Sequence, residues 1–398
     1  MRRRGWPALP PWGQVRTWLL DRGLDLGQVG RRLGREVFGN PSRGRAVYVL
    51  VILAWVSLVA WGRLIAPLAI TPYFRPQARF QVIAFFENGA GSKFVDSLPT
   101  LKVYSGLFDT VSPFWHSVGA DGRVAGDGYR GEVVSLARAR GLSVVPLVSN
   151  VKSGAGNSFE AIRTPEARAK TVGNLVDLVA EKAYDGLNLG FELLPADARE
   201  SYSTFLRELA VALHGRGKTL AVSVFGDVDV SPLVSGFLDY RAIGEAADLV
   251  VLLGYDRSWP ATSPGPLAPL AWVEANIDSL LGYLPAGKLI LGIGTHAYDW
   301  PIDPEAGRTD YLSTSAALVR ASDAGVTVQY DPASRQSFYT YTSQAGADRE
   351  VWLQDGSHVA DKVQLAKSRG LRGVAIWRLG FGETGALEKL GGVVGRRP

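Results

Sequence analysis

The chain has 398 residues, 46% of them hydrophobic and 20% charged, with 46 Gly, 22 Pro and no Cys. That apolar content excludes a disordered chain, which would bury too little to offset its ordering entropy. The lack of cysteine excludes a disulfide scaffold and all thiol-based metal, cluster or redox chemistry. The charge is unevenly placed. Residues 1–45 hold ten arginines against Asp21, Asp25 and Glu36, a net of +7, so with a total of +5 residues 46–398 carry −2. The basic character therefore belongs to an N-terminal arm, and the remainder offers no basic surface to a nucleic acid.

Residues 46–62 (AVYVLVILAWVSLVAWG) contain no charge. At ~1.5 Å per residue such a run spans roughly 26 Å, near the ~30 Å of a hydrocarbon core. Arg63 can extend its head group to the far interface, which gives an expected membrane span over 46–66, with Trp61 and Tyr73 suited to an interface. A buried core helix and a long leader peptide are the alternatives. The arginine excess before the span predicts a cytoplasmic arm over 1–45 and a single-pass anchor at the cell membrane. A linker over 67–77 and an extracytoplasmic globular part over 78–398 would follow.

In the globular part, short β-rich runs alternate with helical runs. Strands are predicted over 80–86 (FQVIAFF), 108–115, 142–148 (LSVVPLV), 184–191, 219–225 (TLAVSVF), 249–255, 288–295 (KLILGIGT) and 373–377. Most are continuous apolar runs, as parallel strands covered on both faces require. Helices are predicted over 131–140, 165–182, 196–215, 231–246, 270–284 and 359–369. Thr164-Pro165 supplies a start signal, and Gly215 or Gly217 a stop. Eight strands alternating with helices predict an α/β fold of the (β/α)8 TIM-barrel class, with a doubly wound open sheet as the alternative. Residues 327–354 break the rhythm with short strands and polar turns, which predicts a small β-rich insertion between strands seven and eight.

In such a barrel the chemistry sits at the C-terminal tips of the strands. These tips carry Glu87 and Asn88, then Trp115 and His116, Asn150, Glu192, Asp227, Tyr255 with Asp256, His296 to Trp300 including Tyr298, and Trp377. Carboxyl groups beside Trp and Tyr are what a sugar site uses, because rings stack on pyranose faces and a carboxyl protonates a glycosidic oxygen. Any single aromatic is as easily explained by packing. The sharpest signal is DGLNLGFE, residues 185–192. Strand alternation sends Asn188, Gly190 and Glu192 to one side, with Glu192 at the mouth. A carboxyl ending a hydrophobic strand is costly unless it is used or paired.

This segment resembles the family 18 glycoside hydrolases, whose fourth strand reads Asp-Gly-x-Asp/Asn-x-Asp-x-Glu. The similarity is greatest to the bacterial branch of spore-germination and cortex-lytic enzymes. LLGYDRSWPATSPGPLAPLAWV, KLILGIGTHAYDW and RGVAIWRLG resemble that branch's sixth, seventh and eighth strands. The resemblance implies a general acid at Glu192, a hydrogen bond from Tyr255 to a substrate acetamido group, a sugar contact at Asp256 and a ring floor at Trp377. Asn188 fits the Asp/Asn position. In this family the substrate's own acetamido oxygen attacks the anomeric carbon, so no carboxylate nucleophile and no cofactor are implied.

Gly190 departs from the pattern. The family's Asp at that position polarises the acetamido group and raises the proton affinity of the acid two residues on, and glycine does neither. Two readings stay open at this stage. Another carboxylate compensates, Asp227 or Asp256, or the barrel retains sugar binding without turnover. Glu87, Trp115, Asn150, Asp227, Tyr298 and Trp300 complete the expected substrate-binding set. The expected partner is a polysaccharide or oligosaccharide containing N-acetylglucosamine, such as peptidoglycan, spore cortex or chitin-like oligomers. An envelope protein using the barrel only for protein contacts would leave the aromatic tips without a ligand.

Other signals fail. GRGKT (215–219) follows a helix and precedes a strand, the reverse of a phosphate-binding loop, so no nucleotide is expected. His116, His214, His296 and His358 are scattered without metal-ligand spacing, and no serine elbow occurs.

Overall fold

The computed structural model describes residues 79–89, 95–126, 128–150, 158–382 and 384–398. The arm, the expected anchor over 46–66 and the linker lie outside the described residues. Among the described residues, no helix is long and apolar enough to cross a membrane.

Strands and helices alternate from the start. In chain order they are β1 (Gln81–Phe86), α1 (Leu98–Tyr104), β2 (Thr110–Val118), β3 (Val124–Ala125), α2 (Gly131–Ala139), β4 (Ser143–Val144), β5 (Leu147–Ser149), α3 (Glu160–Arg163), α4 (Pro165–Glu181), β6 (Gly186–Gly190), α5 (Arg199–His214) and β7 (Thr219–Val224). There follow α6 (Pro232–Ser235), α7 (Tyr240–Ala246), β8 (Leu249–Leu253), α8 (Leu270–Leu281) and β9 (Leu289–Gly294). The remainder comprises β10 (His296–Pro301), β11 (Asp310–Ser313), α9 (Thr314–Asp323), β12 (Gln329–Asp331), β13 (Gln336–Thr342), β14 (Asp348–Leu353), α10 (Gly356–Ser368), β15 (Gly373–Trp377) and α11 (Thr384–Val394).

The sheet runs β1-β15-β9-β8-β7-β6-β5-β2, and β2 pairs back onto β1. All of these pairings are parallel, with Ile83 opposite Thr110 at the closure and Gln81 opposite Gly373 on the other side. The sheet is therefore a closed eight-stranded barrel, not a doubly wound open one. The apolar runs behave as parallel strands should: every residue of β6 and β9 is buried. Outside the barrel, Leu206, Leu209 and Val363 press their helices against it.

Several boundaries moved, each for a local reason. The strand expected over 142–148 splits into β4 and β5 at Val145-Pro146, where proline has no N–H for a ladder. The helix expected over 231–246 splits into α6 and α7, because Gly236 caps the first and the Asp239 carboxylate accepts from Ala242 N–H to start the second. Thr164 caps α4 as its sequence predicts, accepting from Ala167 N–H.

The insertion is larger than residues 327–354. It begins at His296, immediately after β9, and forms a five-stranded sheet in the order β11-β10-β14-β13-β12, with α9 packed on Ala297, Tyr339 and Val351. Its first strand, HAYDWP, runs on directly from KLILGIGT, which hides the boundary in the sequence. Buried Asp299 binds this sheet together. It pairs with Arg349 Nε at 2.6 Å and with Arg320, and it accepts from the Tyr341 hydroxyl at 2.8 Å.

Candidate active site

Alternation along each strand determines what faces the barrel interior. On β6, Asn188 faces a lower cavity, while Gly190 and the following Glu192 face an upper one at the C-terminal mouth. The upper cavity has a volume of about 300 Å³ and is lined by Phe85, Phe114, Leu147, Ser149, Gly190, Glu192, Ser223, Phe225, Leu253, Tyr255, Asp256, Tyr311 and Trp377. The closed barrel thus brings together the carboxyl, the tyrosine, the aspartate and the tryptophan expected from three separate segments.

Trp377 forms the aromatic wall. Its ring lies nearly parallel to Tyr255 with centroids 6.5 Å apart, and it meets Phe85 edge-on at 5.2 Å. Its indole Nε1–H donates to the Tyr311 hydroxyl at 3.2 Å, so the ring cannot rotate freely. A ring fixed from three sides is a rigid, flat wall of the cavity.

Glu192 is the acid of this cavity. Burial, with a smaller contribution from the negative charge of Asp256, pushes its carboxyl up to about 7. The group therefore carries its proton through the mildly acidic range. Asp256 sits on left-handed backbone with φ of 62°. Its Oδ1 lies 2.8 Å from His296 Nε2 and accepts from the Tyr298 hydroxyl at 3.2 Å. Tyr255 is buried, and burial holds its phenol well above the usual range, so it stays a neutral donor.

Gly190 leaves a gap that its neighbours occupy. A methyl group built there would lie 2.8 Å from Leu147 Cδ1, with Ser223 Cβ at 3.9 Å. Ser149, whose Cα pairs with that of Gly190, is buried, and its hydroxyl has no hydrogen-bond partner among the described residues. An apolar methyl and two hydroxyl side chains thus surround the position where a carboxylate was expected.

The remaining expected residues are placed differently. Asn188 accepts from the Ser223 hydroxyl at 2.9 Å and faces the lower cavity. Asn150 is fully buried and holds the Glu192 backbone instead of lining the cavity. Glu87 pairs with Arg378 Nε at 2.8 Å. Trp115 is buried, its Nε1–H donating to Asn88 Oδ1 at 2.9 Å. Tyr298 and Trp300 lie on β10, buried against Trp352 of the insertion and Leu267 of the loop after β8; Tyr298 touches Asp256 through its hydroxyl. Asp227 lines a separate cavity with Arg199, Asp239 and Tyr240, so it cannot stand in for the missing carboxylate. Apart from Asn188, which points inward at a deeper level, the reason is shared: a strand tip has inward and outward positions, and these side chains point outward or into packing.

Sequence reading missed Phe85, Phe114, Leu147, Ser149, Ser223 and Tyr311. For Phe85 the signal is present, since it stands two residues before Glu87 on the same strand face; no candidate residue stands two positions from Ser149 or Ser223. Tyr311 comes from β11 of the insertion, and no local pattern marks it. Among the described residues no cluster of three or more His, Cys, Asp or Glu could hold a metal ion.

Comparison with known proteins agrees with this geometry. The sequence profile described as "Glycosyl hydrolases family 18" matches residues 114–382. YdhD of Bacillus subtilis (strain 168), whose name describes a sporulation-specific glycosylase, is 27% identical over 286 residues, covering 71% of this chain and 68% of that protein. The cortical fragment-lytic enzyme of the same organism is 26% identical over 254 residues, 62% of this chain and 59% of the enzyme. The crystal structure of a chitinase from Chromobacterium violaceum superposes with a TM-score of 0.72 at 27% identity, covering 80% of this chain and all of that one. With a barrel of this topology, an acid at the tip of its fourth strand and a family profile spanning most of the chain, the protein belongs to the family 18 glycosyl hydrolases.

Proposed function

We propose that the protein hydrolyses glycans containing N-acetylglucosamine, with peptidoglycan or spore cortex as the first candidates and chitin-like oligomers as the second. The relatives named for cortex fragments and chitin support this substrate class. The observation that carries the reading is Glu192, a carboxyl that holds its proton up to about 7 at the mouth of a cavity walled by Trp377.

In this reading the sugar lies on Trp377, and Glu192 donates its proton to the glycosidic oxygen as the bond to the anomeric carbon breaks. The acetamido oxygen of the same sugar attacks that carbon, assisted by the Tyr255 hydroxyl. Asp256 supports the positive charge that develops on the ring and the acetamido group. Glu192, now ionised, takes a proton from the water that opens the intermediate. Two inversions leave the anomeric configuration unchanged. The ¹H NMR spectrum of the first product from an N-acetylglucosamine oligomer tests this step: the β anomer should appear first, and initial α anomer would rule out the mechanism.

A second reading has a specific observation in its favour. The Leu147 methyl group lies against Gly190, where the polarising carboxylate would be. A barrel so altered could hold the glycan without cleaving it. Binding that depends on Trp377, together with no product in prolonged digestion, would select that reading.

The charge pattern supports one more element. Residues 46–66 would anchor the chain in the cell membrane, the arginine-rich arm inside and the barrel outside. Protease added to intact cells should then remove the barrel and spare the arm. Protection of both would contradict this orientation.

A further inference from the structure

Behind Asp256 the fold buries polar side chains that the mechanism above leaves unused. His296 is fully buried, and while its Nε2 faces Asp256, its Nδ1 has no hydrogen-bond partner among the described residues. The same is true of Gln354 Nε2. The two nitrogens face one point: a methyl group built on Gly294 would collide with Gln354 Nε2 and lie 2.9 Å from His296 Nδ1. At its other end, Gln354 Oε1 accepts from Nζ of Lys362, itself buried.

The donors and acceptors fix the ring. An ammonium group only donates, so the carbonyl end of Gln354 stays on Lys362 and its NH₂ end turns towards His296. That NH₂ also only donates. Among the described residues no acceptor lies within hydrogen-bond reach of His296 Nδ1, so a proton there would be buried and unpaired, whereas on Nε2 it is donated to Asp256. An imidazolium would set one donor against another and add a second positive charge near Lys362.

We propose that His296, whose Nδ1 lies beside the Lys362–Gln354 pair with no acceptor to take a proton, is a positioning residue that keeps the Asp256 carboxylate oriented and its negative charge uncancelled beside Glu192. The consequence is chemical. An uncancelled Asp256 adds to the burial that keeps the Glu192 proton on, a contribution Gly190 has no side chain to make. The groups facing His296 are Asp256 and Tyr255 from the loop after β8, Tyr298 from β10, Tyr311 from β11 and, through Gln354, Lys362 from α10. Burial holds the three phenols above their usual range, so they remain neutral. Burial pushes Lys362 down to about 7, so the arrangement is strongest below neutrality, where Glu192 holds its proton.

The proposal rests on Glu192 as the acid, and its test separates the two claims. In the full chain, Gln354→Glu keeps the shape but offers His296 Nδ1 an acceptor. The ring should become an imidazolium, Asp256 should be cancelled, and the basic limb of the kcat/KM profile should fall by roughly half a pH unit or more. Adding His296→Asn, which can donate to Asp256 but cannot be charged, should return the limb to its original position. ¹⁵N NMR of histidine-labelled protein, with His296 identified through the His296→Asn variant, reads the ring without any turnover. An Nε2–H ring in the parent and an imidazolium in Gln354→Glu, compared at one pH, are expected. A charged His296 in the parent, or a Gln354→Glu protein in which neither ring nor limb changes, would overturn the proposal. If no glycan is cleaved, ¹³C NMR titration of the Glu192 carboxyl replaces the limb, so failure of the hydrolase reading still leaves this proposal decided.

Discussion

Asn150 and Glu192 share a reciprocal pair of hydrogen bonds: Asn150 Nδ2 donates to the Glu192 carbonyl at 2.8 Å, and its Oδ1 accepts from the Glu192 N–H at 2.8 Å. A primary amide thereby uses both ends on the backbone of one residue, while Ser158 Oγ accepts its remaining proton at 2.8 Å. The tip of the third strand thus fixes the backbone that carries the acid. Asn150→Ala leaves two backbone groups near the mouth without partners, a cost of about 2–4 kcal/mol that denaturant unfolding can measure. Because the acid then loses its aim and not its substrate contacts, kcat should fall about 10- to 100-fold with KM nearly unchanged.

The contact between Leu147 and Gly190 yields a paired prediction. Gly190→Asp alone should fold at a cost of about 1–3 kcal/mol, because only the end of a flexible leucine must move. Its new carboxylate would still face that methyl group. Leu147→Ala with Gly190→Asp removes the obstruction and should raise turnover by about 10² or more, since a charge-assisted contact to the acetamido group returns. A well-folded double variant no faster than the parent would show that other groups already fill this role.

The Glu192 carboxyl gives both a rate and a stability prediction. In the proposed role of general acid it works protonated, so kcat/KM should decline as pH rises through about 7. Its proton affinity is higher folded than unfolded. The stability this contributes is therefore fully present below the ordinary carboxyl range of about 4 and is lost as pH rises through the folded value of about 7. Glu192→Gln, which cannot ionise, should raise Tm relative to the parent above neutrality, with the gap closing on acidification. A gap that stays constant with pH would contradict the assigned shift.

Asp299 makes the insertion's stability depend on one carboxylate. Removing it in Asp299→Ala takes the carboxylate from buried Arg349, while Arg320 keeps Asp310, at a cost of about 3–5 kcal/mol. Hydrogen exchange should quicken across β10 to β14 and leave β6 to β9 unaffected. KM should rise, because Tyr311 of that sheet steadies Trp377.

What could be read from the sequence differs sharply between barrel and insertion. Buried parallel strands leave continuous apolar runs, so all eight barrel strands and the inward face of β6 could be located. Glu192, Tyr255, Asp256 and Trp377 stand at the ends of those runs and meet in one cavity. Asn150, Trp115 and Trp300 are expected at the mouth and lie buried in packing, because residue type at a strand tip does not tell which way the side chain points. Tyr311 and the Asp299 network depend on pairings between distant antiparallel strands, which leave no local period. His296 stood in plain view as one of four scattered histidines; only its contact with Asp256 gives it a role.

The most direct test of the central claim is the release of reducing ends from N-acetylglucosamine oligomers and purified peptidoglycan by the full chain and by Glu192→Gln, with glycan binding measured on both. The account predicts turnover in the parent, loss of at least about 10³-fold in Glu192→Gln, and equal binding by the two proteins. Equal turnover by parent and variant would contradict Glu192 as the acid, and absence of both turnover and binding in the parent would contradict the glycan site itself.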